Sequence, residues 1–288
     1  MYLNRRTFFK AMGATAVALS VGKVSAASEA FSDNGTELNG MLYDMSRCVG
    51  CFGCEYDCAE AHEAEMPDIP RNPPPRKLDE TCRTIVNKHE TSIGMVAFKD
   101  QCRHCSEPAC TAACLTMAMY KTKEGPVIWR EDKCMGCRYC MIACPFDIPK
   151  FEYKSTNPKV VKCDMCVKRL VEDEIPACSY FCPEEALTYG KRSDLIKEAR
   201  KRIIENPDTY IDYVYGEHEA GGTSWMYISP VPFEELGFNM KIQKKSYPGL
   251  TKGFISSIAP VDLLLPTFLL GVYQATKSTS TINEEDAI

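Results

Sequence analysis

The sequence predicts an α+β fold of two similar modules, with insertions, a C-terminal extension and a C-terminal membrane helix. Three observations lead to this prediction. All 17 cysteines lie between Cys48 and Cys182, where they form four short runs of related spacing. The segments that follow two of these runs both pass from a short helix to a strand, as expected of a repeated unit. A last apolar stretch at 253–276 is about long enough to cross a bilayer.

Each cysteine run supplies four thiols at spacings suited to a metal cluster. The first and third runs read Cys-x2-Cys-x2-Cys-x3-Cys, and Pro145 follows the third. This is the spacing of bacterial ferredoxins, in which three closely spaced thiolates hold one iron–sulfur cluster and the fourth reaches the neighbouring cluster. Four runs therefore predict two ferredoxin-like modules with four clusters. The runs are Cys48, Cys51, Cys54 and Cys58; Cys102, Cys105, Cys110 and Cys114; Cys134, Cys137, Cys140 and Cys144; and Cys163, Cys166, Cys178 and Cys182.

Three other uses of these cysteines are less favoured. A disulfide scaffold suits an exported chain, but cysteine triplets leave the middle thiol without an obvious partner. Zinc sites usually pair two Cys-x2-Cys motifs, an arrangement that only the fourth run resembles. Thiol catalysis at a Cys-x-x-Cys motif does not explain a fourfold repeat. Cys82, in LDETCRTIV, lies far from every run and is predicted to be a spare buried thiol.

The segments around the runs supply the other elements of the modules. After Cys114 we expect a short helix and then a hairpin with its turn at 123–125 and a β-branched, aromatic strand at 127–129. PEEALTYG, after Cys182, is expected to pass from helix to strand in the same way. The proline-rich segment at 66–80 is interpreted as a surface insertion that packs on a partner.

The N-terminal residues 1–26 have the features of an export signal. NRRTFFK at 4–10 precedes a moderately apolar run at 11–22, and small residues precede a predicted cleavage site before Ala27. Adjacent arginines followed by Thr-Phe-Phe-Lys resemble the twin-arginine signal, which directs export of folded proteins. Clusters could therefore be assembled on reduced cysteines in the cytosol before export to an oxidising compartment.

The residues after the last cysteine predict one surface helix. SDLIKEARKRIIEN (193–206) is amphipathic, Ser193 or Asp194 is the expected N-cap, and one face is expected to be buried. The members of that face are Leu195, Ala199 and Ile203. Residues 207–250 contain no cysteine and indicate no chemistry by themselves.

The apolar stretch at 253–276 is an imperfect membrane span. Pro260 and Pro266 are expected to interrupt its helix. A buried Asp262 costs ~2.5–3.5 kcal/mol on the insertion scale. A full span and a hydrophobic segment docked on a membrane partner therefore both stay open.

Composition and motifs argue against several functional classes. A formal net charge of −5 does not suit a nucleic-acid-binding protein. The sequence has no glycine-rich phosphate loop, nucleophile elbow or His-Glu-x-x-His motif, so an enzyme in its own right is not favoured. A soluble ferredoxin shuttle would lack the export signal and the apolar C-terminal stretch. Four cations beside the runs could raise cluster potentials, dock partners or be ordinary surface charges; they are Arg103, Arg138, Lys168 and Arg169.

The four runs and their flanks resemble the iron–sulfur electron-transfer subunits of dimethyl-sulfoxide-reductase and formate-dehydrogenase type complexes. The resemblance rests on NGMLYDMSRCVGC (39–51), CMGCRYCMIACPFDIPKFEY (134–153) and KCDMCVKRLVEDEIPACSYFCPEEAL (162–187). YGEHEAGGT at 215–223 is most similar to the exported subunit of hydrogenase-2-type NiFe uptake hydrogenases. Exported formate dehydrogenase subunits have a similar Gly-Gly-Thr stretch.

The resemblance implies how the runs combine to hold four 4Fe-4S clusters. The first and fourth runs would make one module, and the second and third the other. Cluster 1 would be held by Cys48, Cys51, Cys54 and Cys182. Cluster 2 would be held by Cys58, Cys163, Cys166 and Cys178. Cluster 3 would be held by Cys102, Cys105, Cys110 and Cys144, and cluster 4 by Cys114, Cys134, Cys137 and Cys140.

The resemblance also implies a role without catalysis of its own. Electrons would pass between an exported catalytic subunit and an integral membrane subunit that reacts with quinone. A NiFe uptake hydrogenase is the expected catalytic partner; a molybdopterin oxidoreductase, such as formate dehydrogenase or a menaquinone/polysulfide-type reductase, is the alternative. The expected location is the periplasm, attached to the inner membrane. The predicted domains are a signal at 1–26, a double ferredoxin-like domain at 27–190, an extension for subunit docking at 191–252, a membrane segment at 253–276 and an acidic tail at 277–288.

Overall fold

The computed structural model describes residues 37–285 of the chain. The predicted signal at 1–26 and the side chains from Lys277 onward lie outside the described residues. Within the described part, the residues up to Leu250 form one compact unit, and those from Thr251 belong to a second. The first unit combines small sheets with short helices, which confirms the predicted mixture of α and β structure.

The elements are short except for the last two helices. The strands are β1 (Asn39–Asp44), β2 (Thr84–Thr91), β3 (Gly94–Gln101), β4 (Met119–Lys121), β5 (Val127–Trp129), β6 (Lys150–Phe151), β7 (Val160–Val161), β8 (Leu187–Lys191) and β9 (Trp225–Ile228). The helices are α1 (Gly53–Ala61), α2 (Ala109–Ala112), α3 (Tyr139–Ala143), α4 (Val167–Val171), α5 (Ala177–Tyr180), α6 (Arg192–Glu205) and α7 (Tyr247–Glu285).

A three-stranded sheet joins the two ends of the cysteine-rich region to the C-terminal extension. Its strand order is β8-β1-β9, with β8 antiparallel and β9 parallel to β1. Met41 therefore lies opposite both Tyr189 and Trp225. Both faces of β1 are covered, so its residues read as a continuous buried run rather than as an alternating pattern.

The two faces of this sheet pack against different partners. On one face, the apolar side of α6 packs against Leu42 and Met226. On the other face, aromatic rings pack edge to face, with Tyr43 and Tyr227 centred 5.8 Å apart and Tyr227 and Phe238 centred 5.4 Å apart. The hairpin β2–β3 joins this aromatic core through Phe98, whose ring centre lies 4.4 Å from that of Phe238. Aromatic pairs of this geometry stabilise a core beyond the area that they bury.

The hairpin predicted after the second run is confirmed, but the prediction of a short helix before it is wrong. Strands β4 and β5 pair antiparallel, and Gly125 supplies the positive φ of the turn. No helix follows Cys114, because only residues 115–118 separate it from β4 and they form a turn closed by the Met117 amide and the Cys114 carbonyl. The same turn, from Glu185 N–H to Cys182 C=O, replaces the helix predicted after Cys182.

Helix α6 is present with its predicted buried face, but its N-cap prediction is wrong. Leu195, Ala199 and Ile203 are buried, as expected from their spacing. The helix begins at Arg192, with Lys191 at the N-cap position and no side-chain cap. The Ser193 hydroxyl instead donates to the carboxylate of Glu37.

Helix α7 is apolar and continuous. Its stretch Tyr247–Gln274 is long and apolar enough to cross a membrane, with a mean hydropathy of 1.8, and none of it is buried in the described structure. The expected interruption at Pro260 and Pro266 is wrong, because both prolines lie inside the helix. Next to Pro266, the Thr267 hydroxyl donates to the Leu263 and Leu264 carbonyls in the preceding turn of the helix.

Candidate metal centre

The first set of thiols lines a single cavity. Cys48 and Cys51 lie on the loop between β1 and α1, Cys54 lies in the first turn of α1, and Cys182 lies on the loop before β8. All four border the same cavity, together with Tyr43 and Lys99. The pairing of β1 with β8 brings the first and fourth runs together, although 134 positions separate Cys48 from Cys182 in the sequence.

A second set of thiols lies at the other end of α1. Burial is the largest cause that raises the pKa of Cys58, and the neighbouring thiolates of Cys163, Cys178 and Cys166 raise it further. Cys58 lies near the end of α1, Cys178 lies in α5, and the other two lie on the loop before α4. The structure thus brings one cysteine of the first run to three of the fourth.

The second and third runs supply the other two sets. Burial raises the pKa of Cys105, and the charges of Cys102, Cys144 and Cys110 raise it further. Burial raises the pKa of Cys140 to about 11, and Cys114, Cys134 and Cys137 add to this shift. Some of these thiols also have neighbours in another group, as Cys54, Cys163 and Cys110 do.

The four sets follow one another in a fixed order. Cys178 of the second set lies near Cys54 of the first, since burial raises the pKa of Cys54 and the charge of Cys178 raises it further. Cys102 of the third set likewise raises the pKa of Cys163 in the second. Cys140 of the fourth set raises the pKa of Cys110 in the third. Each of these three pairs links one set to the next in the order from the first to the fourth.

The backbone repeats the same conformation in all four runs. The third position of each run has a positive φ, a conformation that costs energy for residues other than glycine. These residues are Gly50 (φ 64°), His104 (φ 47°), Gly136 (φ 73°) and Met165 (φ 58°). Such turns direct amide groups toward one point and favour negative charge there. The Met165 amide donates to Cys163 Sγ at 3.3 Å, as this geometry predicts.

The donor set and its surroundings fit iron–sulfur clusters. Thiolates are the ligands of such clusters, and amide hydrogen bonds to sulfur stabilise their negative charge. Burial raises the pKa of most of these thiols, to about 11 for Cys144 and Cys166, so metal binding must displace their protons. No disulfide joins any of the 17 cysteines, all of which lie in the described part of the chain.

Buried cations accompany the thiols. Lys99, Arg103 and Lys162 are buried, and Lys162 Nζ donates to the Cys163 carbonyl at 2.8 Å. Lys121 Nζ donates to the Cys105 carbonyl at 2.8 Å, and burial lowers the pKa of Lys121 to about 8. Burying several cations costs free energy unless anionic groups lie beside them. These buried cations suit a centre with a net negative charge.

Among the four cations that the sequence placed beside the runs, only Arg103 is buried. It forms an ion pair with Asp100 at 3.0 Å. Arg138 and Lys168 are exposed, and Arg169 pairs with Glu174 at 3.0 Å near the surface. Sequence reasoning missed Lys99, because a lysine on a strand gives no sign of being buried.

The glycine-rich segment of the extension holds the second run in place. The Ser106 amide donates to the Gly222 carbonyl, and the Trp225 amide donates to the Arg103 carbonyl. Gly216 has a φ of 97°, and a Cβ there would lie 2.3 Å from the Trp225 carbonyl oxygen. The segment YGEHEAGGT, which carries part of the family resemblance, therefore supports the loop of the second run. The segment itself contains no cysteine.

Cys82 belongs to none of the four sets. Burial raises its pKa to about 11, and its thiol donates to Asp79 Oδ1 at 3.4 Å. It packs at the edge of an apolar cluster that contains Leu78 and Ile85. This is the surrounding of a structural thiol.

The fold and the thiol sets define an iron–sulfur electron-transfer protein, and comparison with known proteins supports this class. Residues 93–192 match the family described as the 4Fe-4S dicluster domain. A protein of Nitratidesulfovibrio vulgaris is 40% identical over 99% of this chain and 80% of its own length. The hydrogenase-2 operon protein HybA of Escherichia coli O157:H7 is 34% identical over 81% of this chain and 83% of its own length. The formate dehydrogenase iron–sulfur subunit of Haemophilus influenzae is 31% identical over 65% of this chain and 63% of its own length.

These relatives identify the family. The chain belongs to the 4Fe-4S dicluster family of electron-transfer subunits that includes HybA and the formate dehydrogenase iron–sulfur subunits.

Proposed function

We propose that the chain holds four 4Fe-4S clusters in two pseudo-repeated ferredoxin-like modules and conducts electrons along them. Cluster 1 takes Cys48, Cys51, Cys54 and Cys182, and cluster 2 takes Cys58, Cys163, Cys166 and Cys178. Cluster 3 takes Cys102, Cys105, Cys110 and Cys144, and cluster 4 takes Cys114, Cys134, Cys137 and Cys140. The observation that carries this proposal is the grouping of the sixteen thiols into four neighbouring sets.

The pseudo-repeat is supported by backbone conformation. All four runs share the positive φ at their third position. Met117, Asp147 and Glu185, each three residues after the last cysteine of its run, also share a positive φ. In each case the residue's amide donates to the carbonyl of that cysteine.

The residues of the chain provide spacing, burial and charge. When bound, each 4Fe-4S cluster supplies a site that accepts and releases one electron. The sheet and hairpins hold neighbouring thiol sets close to each other in the order one to four. The aromatic core and the buried cations limit access of water and offset negative charge. The proposed role is that of an electron carrier without catalysis of its own, and the match to a formate dehydrogenase iron–sulfur subunit supports it.

The proposed catalytic partner is an exported NiFe uptake hydrogenase. The relative named for hydrogenase-2 supports this choice, because it matches 81% of the chain, against 65% for the formate dehydrogenase subunit. The alternative is the same role in a molybdopterin complex such as formate dehydrogenase or a menaquinone/polysulfide-type reductase. In either complex, residues 191–252 contribute to subunit docking, and the second partner is an integral membrane subunit that reacts with quinone.

The proposed location is the periplasmic face of the inner membrane. The signal at 1–26 would direct export of the folded domain at 27–190 by the twin-arginine route. The segment at 253–276, within α7, would insert into the membrane, and the acidic tail at 277–288 follows it. The length and hydropathy of α7 support insertion.

Elemental analysis of the native complex tests the choice of partner. The complex is extracted in mild detergent and purified through this chain. Nickel together with abundant iron supports a hydrogenase. Molybdenum or tungsten without nickel assigns the chain to the alternative complex, and zinc in place of iron contradicts the cluster proposal altogether.

A further inference from the structure

Lys99 carries a buried ammonium group that no carboxylate neutralises. The residue lies on β3 and is 1% exposed. Its Nζ donates to Thr84 Oγ1 at 2.6 Å and to Gln101 Oε1 at 3.1 Å, and it lies 4.8 Å from the centre of the Trp225 ring. These three partners are neutral. Among the residues that the structure describes, no carboxylate lies within ion-pair distance of Lys99.

The negative groups around Lys99 are thiolates from two different sets. The ionisable groups nearest to Lys99 are four cysteines: Cys178, Cys54, Cys163 and Cys58. Cys54 belongs to the cluster 1 set, and the other three belong to the cluster 2 set. Lys99 also borders the cavity of the first set.

A hydrogen-bonded chain fixes the position of this ammonium group. The Gln101 amide that accepts from Lys99 also donates, through Nε2, to the Tyr227 hydroxyl. Arg103 donates to the same hydroxyl at 2.5 Å and is held by its ion pair with Asp100. All of these side chains except Asp100 are buried. Lys99 is therefore held at one place rather than free to swing into solvent.

A comparison of the partners of Lys99 and Arg103 indicates which groups balance the charge of Lys99. Arg103 has a carboxylate partner, the half-buried Asp100, and buried charges are generally paired in this way. Lys99 has only dipoles and an aromatic face, which do not compensate a full charge taken out of water. The neighbouring thiolates can do so only while they are ionised, and metal binding keeps thiolates ionised.

We propose that Lys99 is a fixed cation shared by clusters 1 and 2, which raises the midpoint potentials of both by stabilising their reduced forms. This inference rests on the cluster assignments proposed above. Each reduction adds one electron, and so one negative charge, to a site beside the ammonium group. The side chain neither donates nor accepts the electron. Its positive charge holds clusters 1 and 2 at a higher midpoint potential than their ligands alone would give.

The test is the midpoint potential of each cluster in Lys99→Met, measured by redox titration with EPR detection on the intact complex. We expect two of the cluster signals to shift to lower potential, with the ratio of reduced to oxidised form falling at least tenfold, which is 59 mV or more for a one-electron couple. The other two signals should move much less.

Lys168→Met is the matched control. Lys168 lies two residues after Cys166 but is exposed. Its removal takes the same charge from the neighbourhood of cluster 2, but water and salt screen that charge. We expect the ratio of reduced to oxidised cluster to change less than about twofold. A shift as large as that of Lys99→Met would show that the effect is general electrostatics and overturn the assignment.

Two further variants cover the case in which Lys99→Met does not assemble. Lys99→Arg keeps the charge, so it should keep the potentials and the iron content. Gln101→Glu places a carboxylate beside Nζ and should lower the same two potentials, because it neutralises the cation in place. Loss of iron in Lys99→Met with full iron in Lys99→Arg also supports the proposal. Arginine keeps the positive charge and methionine removes it, so this result would show that the clusters depend on the charge.

Two results overturn the proposal. One is unchanged potentials in both Lys99→Met and Gln101→Glu with full iron content. The other is equal loss of iron in both Lys99 variants together with unchanged potentials in Gln101→Glu. The iron content and the number of EPR signals of the unmodified complex are recorded first. A failure of the cluster assignments would appear there, before any variant is compared.

Discussion

At the scale of single residues, the centre places buried thiols beside buried basic side chains. Burial disfavours the charged form of both. Burial raises the pKa of Cys163, whereas Lys99 lowers it. Each kind of group reduces the free-energy cost of burying the other, and a bound cluster would keep the thiols ionised. The spacing of the cysteines predicted that the thiols of a run lie close together, because short loops join them. It could not predict Lys99, whose role depends on strand pairing and on Trp225, 126 positions away.

A ligand and a non-ligand thiol should respond differently to substitution. Cys54→Ser should cost the protein about four iron atoms per chain, since one cluster loses a thiolate. Cys82→Ser should cost none, because Cys82 lies outside all four sets and bonds only to Asp79. Iron per chain is measured after anaerobic purification. Equal iron loss in the two variants would contradict the separation of Cys82 from the ligands.

At the scale of elements, sequence patterns predicted the buried face of α6 and the β4–β5 hairpin, but not the turns that follow Cys114 and Cys182. The 3.6-residue period of α6 gave the correct buried face, because that face packs on the central sheet. The helices predicted after Cys114 and Cys182 are turns, because the last cysteine of each run is followed too closely by a strand. The Ser193 cap failed because β8 continues directly into the helix, which leaves no room for a capping loop.

The buried face of α6 should carry its contribution to stability. Leu195, 5% exposed, packs against the sheet, so Leu195→Ala should lower the free energy of unfolding by about 2–5 kcal/mol. Ile204→Ala is the control, because Ile204 is 77% exposed on the same helix. The thermal midpoint of the visible cluster absorbance reports the change. A similar decrease in both variants would mean that α6 does not pack as described.

Close approach at Gly216 should also be measurable. Gly216→Ala would place a Cβ 2.3 Å from the Trp225 carbonyl oxygen and should lower the thermal midpoint strongly. Gly94→Ala imposes a similar φ strain, since φ is 113° there, but its Cβ would meet no atom within 4 Å. Its cost should stay near 1 kcal/mol, the usual scale for this strain. Equal midpoints for the two variants would argue against the tight turn that holds the second run.

At the scale of the whole molecule, neighbouring cysteine sets fit the electron-transfer role of the family, and α7 is by itself long and apolar enough to cross a membrane. The order of the sets follows from the interleaving of the first run with the fourth and the second with the third, which the family resemblance implied. Strand β9, which comes from the cysteine-free extension, completes the central sheet, and no sequence pattern predicted this pairing. Its strand pairing depends on β1, far away in the chain, and no local pattern encodes it.

The role of α7 can be tested by truncation. A chain that ends at Leu250, where the first compact unit ends, should move from the membrane fraction to the soluble periplasmic fraction. A chain that lacks only 277–288 should stay with the membrane. Carbonate extraction of the full chain separates a span, which resists extraction, from a docked segment. Retention of the truncated chain in the membrane would show that α7 is not needed for attachment.

The most direct test of the central claim is the amount of iron and acid-labile sulfide per chain in anaerobically purified protein. Four 4Fe-4S clusters predict about sixteen of each per chain. A value of about eight would leave two of the four thiol sets without clusters and contradict the account. Zinc in place of iron would contradict it entirely.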